Sequence, residues 1–190
     1  MIIGITGKSG SGKSFFAEML AKDFSYLHVD IDKISHSIMQ DKKTKNFLFL
    51  NFGDEIFEND QINRKKLGEI VFKDNKKLEF LNNFFKNQIE KNLDLILKKN
   101  NNVILDYALL CGLKQFENCQ IKILLECDFE TRYKRVAERE KITREYFVAR
   151  ENSLKNYKAK FDYTLVNPSV EDFNNLIKQI SRYLWLEKPL

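Results

Sequence analysis

The residues with the clearest chemical signature form the octapeptide GKSGSGKS, which directly follows the apolar run MIIGIT. Gly7, Gly12, Lys13 and Ser14 match the spacing Gly-x-x-x-x-Gly-Lys-Ser/Thr between a predicted strand and a predicted helix. Glycines here let backbone N–H groups turn toward phosphate oxygens, and the following helix adds its positive N-terminus. We therefore predict that Lys13 contacts the β- and γ-phosphates of a bound triphosphate and that Ser14 helps to hold Mg²⁺.

The rest of this loop is predicted to contact the same nucleotide. Ser9, Gly10 and Ser11 lie between the two required glycines, and Phe15 lies in the first turn of the predicted helix. The alternative, a flexible Gly/Ser stretch, does not account for both the spacing and the flanking elements. Lys8 lies outside the positions that the motif requires, and we interpret it as a solvated charge.

Three aspartates follow apolar strands and could face the phosphates. Asp106 ends the run VILD, as expected of a carboxylate delivered to a metal. Asp30 and Asp32 lie in HVDID, where a strand gives way to a helix; either could cap that helix, or could orient and deprotonate an acceptor hydroxyl. His28 and His36 are isolated in the sequence, and we expect neither to bind a metal.

Two basic helices in the C-terminal half contain a set of arginines: Arg132, Arg135, Arg139, Arg144 and Arg150. A solvated helix face would account for several of them. Arg135 and Arg139 are four residues apart and share a helix face, which suits a lid that brings guanidinium groups onto phosphate. We predict that Arg139 contacts the transferring phosphoryl group and that Arg135 contacts the nucleotide.

The elements that must position these residues alternate between short apolar strands and helices, which predicts βαβ units and a parallel sheet. The five predicted strands cover residues 2–6, 26–30, 102–106, 121–127 and 163–167. Ligands of such sheets bind beyond the carboxyl ends of the strands. We therefore expect the glycine loop, Asp30 and Asp106 to converge there. Asn167 is expected at the same edge, in contact with the nucleotide.

Residues 41–101 have a different texture, which is charged, rich in Phe and Asn, and helical throughout. One face of a long helix is formed by Leu78, Leu81, Phe85, Ile89, Leu93 and Ile96. A closing helix follows Ser169, whose spacing to Asp172 predicts an N-terminal cap. Its apolar face contains Phe173, Leu176, Ile177, Ile180 and Leu184.

Length and composition limit the class of protein. The chain has 190 residues, of which 43% are hydrophobic and 31% charged, as in an ordinary soluble domain. No apolar run approaches the roughly 20 residues that span a bilayer, so we expect no membrane partner and a cytoplasmic location. The net charge of +5 comes from scattered lysines; we expect no nucleic-acid partner. Cys111, Cys119 and Cys127 lack the spacing of a disulfide framework or a zinc site.

The motifs together resemble the dephospho-CoA kinase family over nearly the whole chain. GITGKSGSGKS is similar to the family's opening phosphate-binding segment, and VDIDKISH to its Asp-x-Asp strand end. FGDEIF followed by INRKKLGEIVF resembles the next block, and ILDYALL and YTLVN resemble two later ones. The specific evidence is Asp30-x-Asp32, the block from Phe52 to Phe72, and the order of these segments.

This resemblance implies a P-loop α/β/α fold with a five-stranded parallel sheet and an ATP-dependent transfer to the ribose 3′-hydroxyl of dephospho-CoA, the last step of coenzyme A synthesis. The implied parts are a core (1–32, 100–128 and 160–190), a helical substrate domain (33–99) and a lid (129–159). The implied substrate contacts are Asp30, Arg64 and Leu109, with Asp32 as the base. We expect a monomer or a weak homo-oligomer.

Some family positions differ in this chain. The family's His-Pro pair falls on Lys86–Asn87, and its Pro-Leu-Leu-x-Glu segment falls on 108–112, without the proline or the glutamate. These differences concern the contacts to the acceptor and leave the residues of phosphoryl transfer in place.

Three other classes share parts of the pattern. Another P-loop kinase, acting on a nucleotide or small metabolite, would have the same opening motif. A regulatory NTPase would be expected to contain a base-specifying motif such as Asn-Lys-x-Asp, which this sequence lacks. A nucleic-acid-binding protein would need a dense basic stripe with interleaved aromatic residues.

Overall fold

The predicted strands form one parallel sheet in the computed structural model, which describes residues 1–152 and 159–186. The described residues contain seven strands: β1 (Ile2–Thr6), β2 (Leu27–Asp30), β3 (Phe57–Glu58), β4 (Gln61–Ile62), β5 (Val103–Asp106), β6 (Ile121–Glu126) and β7 (Tyr163–Val166). Five of them form the main sheet in the order β2-β5-β1-β6-β7, and all its pairs are parallel. The predicted five-stranded parallel sheet is confirmed.

Eight helices flank or connect these strands within the described residues. They are α1 (Lys13–Phe24), α2 (Ile31–Gln40), α3 (Lys42–Phe52), α4 (Arg64–Val71), α5 (Asn75–Lys99), α6 (Phe129–Glu140), α7 (Arg144–Asn152) and α8 (Val170–Leu186). One buried cluster joins α1 and α8 to the sheet, and a second joins α2 to α5 to its other side. The sheet is therefore a middle layer between helices, as an α/β/α fold requires.

The strand register brings the predicted chemical residues to one edge. β1 lies at the centre, flanked by β5 and β6. Asp30 is the register partner of Asp106 across β2 and β5, and Asp106 is also opposite Ile5 in β1. Because these strands are parallel, their carboxyl ends and the loop after β1 open on the same side.

The stretch predicted to be helical throughout, 41–101, contains a short antiparallel hairpin that was not predicted. Strands β3 and β4 pair through Phe57 opposite Ile62. The turn residues Asn59 and Asp60 have φ values of 50° and 58°, the left-handed conformation that tight hairpin turns need and that Asn and Asp tolerate. Strands of two residues are too short to produce an alternating pattern.

The two helix faces read from the sequence are confirmed. In α5, Leu81, Phe85, Ile89 and Leu93 are buried, with the outer members of the set packed beside them. At the start of α8 the Ser169 hydroxyl accepts a hydrogen bond from the Asp172 N–H, while Asp172 accepts one from the Ser169 N–H. This is the reciprocal cap that the spacing predicted.

The predicted second basic helix is described only as far as Asn152. The part of that helix and of the predicted lid that falls on residues 153–158 lies outside the described residues, as do residues 187–190 of the predicted core. Among the described helices, none combines the length and the apolar character needed to cross a membrane.

Candidate phosphate-binding and phosphoryl-transfer site

The backbone of the glycine loop between β1 and α1 lies very close to the backbone of two neighbouring segments. A side chain at Gly7 would overlap with the Leu125 carbonyl oxygen of β6. Gly10 has φ +84°, and a Cβ atom there would lie 2.8 Å from the Arg132 carbonyl oxygen. The glycines therefore let the loop pass tightly over β6 and the start of α6, with α1 beginning directly after it.

Lys13, the first residue of α1, is buried although it carries a charge. Its side-chain ammonium donates to the Lys8 carbonyl oxygen across the loop, at 3.3 Å. Burial lowers the pKa of Lys13, while the charges of Asp106 and Asp32 act in the opposite direction. The ammonium thus lies near two carboxylates in a largely desolvated position, where an added anionic phosphate would be strongly attracted.

The other predicted nucleotide contacts of the loop differ in their exposure. Ser14 is exposed in the first turn of α1. Phe15 is 52% exposed and lies at a tilted angle to Phe173. The Ser11 hydroxyl is buried and has no hydrogen-bond partner among the described residues. Hydroxyl groups therefore line both the inside and the mouth of the loop.

Asp106 at the end of β5 is 3% exposed. Its Oδ2 atom accepts no hydrogen bond from the described residues and lies 3.5 Å from Nε2 of His28. A buried carboxylate oxygen without a donor fits a hard cation such as Mg²⁺, which prefers oxygen ligands and retains waters and phosphates as its others. The described residues contain no group of three or more acidic, His or Cys side chains that could hold a metal alone.

Asp30 and Asp32 were equivalent in the sequence and differ in the structure. The Asp30 carboxylate caps α2: it accepts a hydrogen bond from the Lys33 N–H at 3.2 Å and lies 3.5 Å from the Lys33 ammonium. Asp32 lies one residue into α2 and makes no such cap. Its side chain reaches solvent, but desolvation by the surrounding protein raises its pKa, against the opposing charge of Lys13.

Arg64 begins α4 and contacts the imidazole of His36 on α2. Burial lowers the pKa of His36, and the Arg64 charge lowers it further. The same guanidinium charge acts on Asp32. Helices α2 and α4 therefore bring one histidine and one arginine, both exposed, close enough to Asp32 for their charges to interact.

The helices α6 and α7 bring further arginines onto the loop. Arg135 donates to the Gly10 carbonyl oxygen at 3.0 Å, and Arg150 donates to the Ser9 hydroxyl at 3.3 Å. Arg139 is paired with the adjacent Glu140. Burial alone would raise the pKa of Glu140, but the hydrogen bond from Arg139 and the charge of Arg150 hold it below its usual value.

Two remaining predicted contacts lie at the rim. Asn167 follows β7, has φ 48°, and its side-chain oxygen accepts a hydrogen bond from the Asp128 N–H at 2.9 Å. Leu109 is partly buried and precedes a 3-10 turn at 110–112. The contacts of both residues to ligands stay predictions.

Several charged residues near the loop were missed or misread. Arg132 is buried and pairs with Glu151 at 2.7 Å, although a solvated helix face was the alternative for several of these arginines. Lys8, interpreted as a solvated charge, is half-exposed and lies 3.4 Å from the Glu151 carboxylate. His28, read as isolated, faces Asp106. No local spacing signals these pairs, because their members come from distant segments.

Comparison with known proteins adds independent information. The sequence model of the family described as dephospho-CoA kinase matches residues 1–170. A dephospho-CoA kinase of Fusobacterium nucleatum is 34% identical over 96% of both chains. A dephospho-CoA kinase of Helicobacter pylori is 31% identical over 96% of this chain and 95% of the relative.

Solved structures agree with these relatives. A crystal structure of a Thermus thermophilus protein has a TM-score of 0.76 and 26% identity, covering 97% of both chains. A dephospho-CoA kinase from Campylobacter jejuni has a TM-score of 0.56 and 27% identity, covering 96% of both chains. A deoxyadenosine kinase from M. mycoides, with a TM-score of 0.55 and 17% identity, shares the fold. It covers 96% of this chain and 100% of its own.

Proposed function

We propose that this chain, which belongs to the dephospho-CoA kinase family, transfers the γ-phosphoryl group of ATP to the ribose 3′-hydroxyl of dephospho-CoA. The observation that supports this most directly is the meeting of Lys13, Asp32 and Asp106 at one end of the sheet, where the charges of both carboxylates act on the pKa of Lys13, and those of Lys13 and Asp106 act on the pKa of Asp32. A cation for the phosphates, a carboxylate for the acceptor and a carboxylate for a metal are the groups that this transfer needs.

Asp32 is proposed as the residue that receives the acceptor. A ribose hydroxyl is a weak acid, and a carboxylate can accept its hydrogen bond and take its proton as the bond to phosphorus forms. Because the transition state is largely dissociative, proton removal comes late, so Asp32 also serves to hold the oxygen in line. Asp30, whose carboxylate already caps α2, is the less suitable of the two.

Lys13 and the lid arginines are proposed to stabilise the charge of the transferring group. Lys13 reaches the loop from inside, and Arg139 would contact the phosphoryl group from α6 once its pairing with Glu140 is exchanged. Ser14 and Asp106 are proposed to hold Mg²⁺, which when bound neutralises phosphate charge. The buried, donor-free oxygen of Asp106 supports this assignment.

The helical segments divide the remaining work in this proposal. The α2–α5 insertion, including Arg64, would bind dephospho-CoA, and α6–α7 would form the lid over the nucleotide. The placement of Arg64 and His36 on the side of Asp32, and of Arg135 and Arg150 against the loop, supports this division.

The deciding experiment measures ADP release from ATP with dephospho-CoA, AMP, CMP or adenosine as acceptor. We expect strong acceleration by dephospho-CoA and a product phosphorylated at the 3′-oxygen, identified by NMR. Acceleration by AMP or CMP alone would instead indicate a nucleotide kinase. ADP release that is independent of every acceptor would indicate an NTPase, and either result would contradict the proposal.

A further inference from the structure

A buried carboxylate outside the residues assigned above connects α7 to the phosphate-binding loop. The side chain of Glu151 is 7% exposed. Its Oε2 atom accepts a hydrogen bond from Arg132 at 2.7 Å and lies 3.4 Å from the Lys8 ammonium. Two cations on different segments therefore share one carboxylate oxygen.

The Arg132 side of this cluster is fixed to the sheet and to the loop. Its Nε atom donates to the Cys127 carbonyl oxygen at 2.9 Å, just beyond β6. Its backbone is packed so closely beneath Gly10 that a Cβ atom on Gly10 would lie 2.8 Å from the Arg132 oxygen. Glu151 is thus held by a group that cannot move without the loop.

The Lys8 side leads to the lysine proposed for phosphoryl transfer. The Lys8 carbonyl oxygen accepts hydrogen bonds from the Lys13 ammonium at 3.3 Å and from the Ser11 N–H at 3.1 Å. A change in the position of Lys8 therefore changes the acceptor that orients Lys13. Glu151 is thus connected to Lys13 through Lys8 alone: its carboxylate pairs with the Lys8 ammonium, and the Lys8 carbonyl oxygen accepts from Lys13.

We propose that Glu151 is a positioning residue for phosphoryl transfer: by pairing with Lys8 it fixes the loop carbonyl that orients Lys13, and it makes that geometry depend on the docking of α7. The proposal rests on the proposed function for its readout. It predicts that the Lys8–Glu151 pair acts on turnover rather than only on the stability of the α6–α7 helix pair.

The charges explain why the pair matters for the loop. Without the carboxylate, the Arg132 guanidinium would be a buried unpaired cation with the Lys8 ammonium nearby, and both effects are unfavourable. The second oxygen of Glu151, Oε1, is also buried and accepts no hydrogen bond from the described residues. Among the described ion pairs, Lys8 is the only residue of the phosphate-binding loop that pairs with this carboxylate.

The test uses Lys8→Met, Lys8→Arg, Glu151→Gln and the double variant Lys8→Met/Glu151→Gln. Methionine keeps an unbranched side chain and removes the charge, and arginine restores the ion pair. The matched control is Glu130→Gln, because Glu130 pairs with Arg144 between the same two helices, on an exposed face with no described loop contact. Steady-state kcat and KM for ATP are measured with dephospho-CoA, together with thermal unfolding.

We expect Lys8→Met to lower kcat by about tenfold, with a smaller change in KM for ATP, because Lys13 is misaligned in the transition state. Lys8→Arg should recover most of this loss. The double variant should be no slower than the slower single variant, since both substitutions break one interaction. Glu130→Gln should keep wild-type kcat.

Wild-type kcat in Lys8→Met, or an increase in KM for ATP alone, would overturn the proposal and make Lys8 a solvated or direct phosphate contact. Multiplying losses in the double variant would also overturn it. If Glu151→Gln does not fold, the Lys8 series decides alone. If the wild type does not phosphorylate dephospho-CoA, the proposed function fails. The dissociation constant for ATP is then compared among the wild type, the two single variants and the double variant, and additive changes in binding free energy would contradict the coupling of Lys8 to Glu151.

Discussion

At the scale of single residues, the chemistry depends on which of two neighbouring aspartates faces the acceptor. The sequence Asp-x-Asp could not distinguish them, because both stand at the point where a strand becomes a helix. The structure separates them through backbone geometry: Asp30 accepts a hydrogen bond from the Lys33 N–H, and Asp32 lies in the first turn of α2, where the charge of Lys13 acts on its pKa.

Asp32→Asn is expected to lower turnover by about 10²- to 10⁴-fold, the usual contribution of a general base. ATP affinity should change little, since Asp32 is assigned to the acceptor. Asp30→Asn is the matched control, because asparagine is an equally good helix cap and should leave turnover near the wild-type value. Steady-state kinetics and ATP titration check both variants. The reverse ranking would show that the base is Asp30.

Asp32→Asn is also expected to stabilise the ligand-free protein at about pH 7. Desolvation raises the pKa of Asp32 in the folded state, so its ionised form is less favourable there than in the unfolded chain. This loss of folding stability is fully present above the pKa of Asp32 in the folded protein. It disappears as the pH falls below the pKa of 3.8 that an aspartate has in the unfolded chain.

The effect should be small because the side chain still reaches solvent. Urea unfolding of both proteins at about pH 7 and about pH 3.5 measures it. The advantage of the variant should shrink at the lower pH, and a wild type that is the more stable protein at about pH 7 would contradict the assigned environment.

At the scale of elements, the phosphate-binding loop is confined between β6 and the start of α6. Its motif could be read from the sequence because every requirement lies within eight consecutive residues. The partners that hold the loop could not, since Arg135 and Arg150 are more than 120 positions away. The hairpin at β3–β4 was missed for a different reason: its register is set by two turn residues rather than by an alternating pattern.

Gly10→Ala is expected to destabilise the protein more than Gly53→Ala does. Both glycines have a positive φ, near 80°, but a Cβ atom on Gly53 would meet nothing within 4 Å, whereas one on Gly10 would press on the Arg132 backbone. Gly53→Ala should therefore cost only backbone strain, on the order of 1–3 kcal/mol, because the ψ of −176° at Gly53 lies in a region that is essentially confined to glycine. Denaturant unfolding compares the two, and ATP affinity should fall for Gly10→Ala alone. Equal losses of stability would show that the close approach under the loop is relieved at no cost.

Arg139→Ala is expected to lower kcat far more than it raises KM for dephospho-CoA. An arginine that stabilises the transferring phosphoryl group can contribute on the order of 10³-fold or more in rate. Arg64→Ala provides the comparison, because Arg64 lies in the proposed acceptor region and should mainly change KM for dephospho-CoA. If Arg139→Ala alters acceptor affinity alone, α6 does not act as the lid.

At the scale of the whole molecule, the fold could be predicted well because it depends mainly on buried apolar runs and on the alternation of strands with helices along the chain. The five strands of the main sheet match the predicted runs to within one residue at each end. Ion pairs between distant segments could not be predicted from the sequence, and the pair of Lys8 with Glu151 is the clearest example. Burial patterns repeat along a helix or strand, whereas an ion pair depends on the final packing of several elements.

Lys13→Met is expected to remove the link between ATP binding and global stability without unfolding the protein. Burial already lowers the pKa of Lys13, so replacing the ammonium by an apolar group of similar length should not reduce the unfolding free energy of the ligand-free chain. In the wild type, ATP with Mg²⁺ at 100 times its dissociation constant should add about 2.7 kcal/mol. Thermal unfolding with and without the nucleotide measures this difference. A variant that ATP still stabilises to the same extent would remove Lys13 from the phosphate site.

The central position of β1 also determines when the protein can fold during synthesis. Strand β1 precedes both of its neighbours in the sheet, β5 and β6, along the chain. One edge of β1 therefore has no partner until residues 103–106 have been made, and the other has none until residues 121–126 have been made. At about 5–20 residues per second, β1 waits on the order of ten seconds. During that interval its apolar residues and unpaired backbone are exposed, while the helices of the insertion, whose contacts are more local, can already form. The nascent chain is therefore most vulnerable to aggregation and proteolysis before β6 emerges.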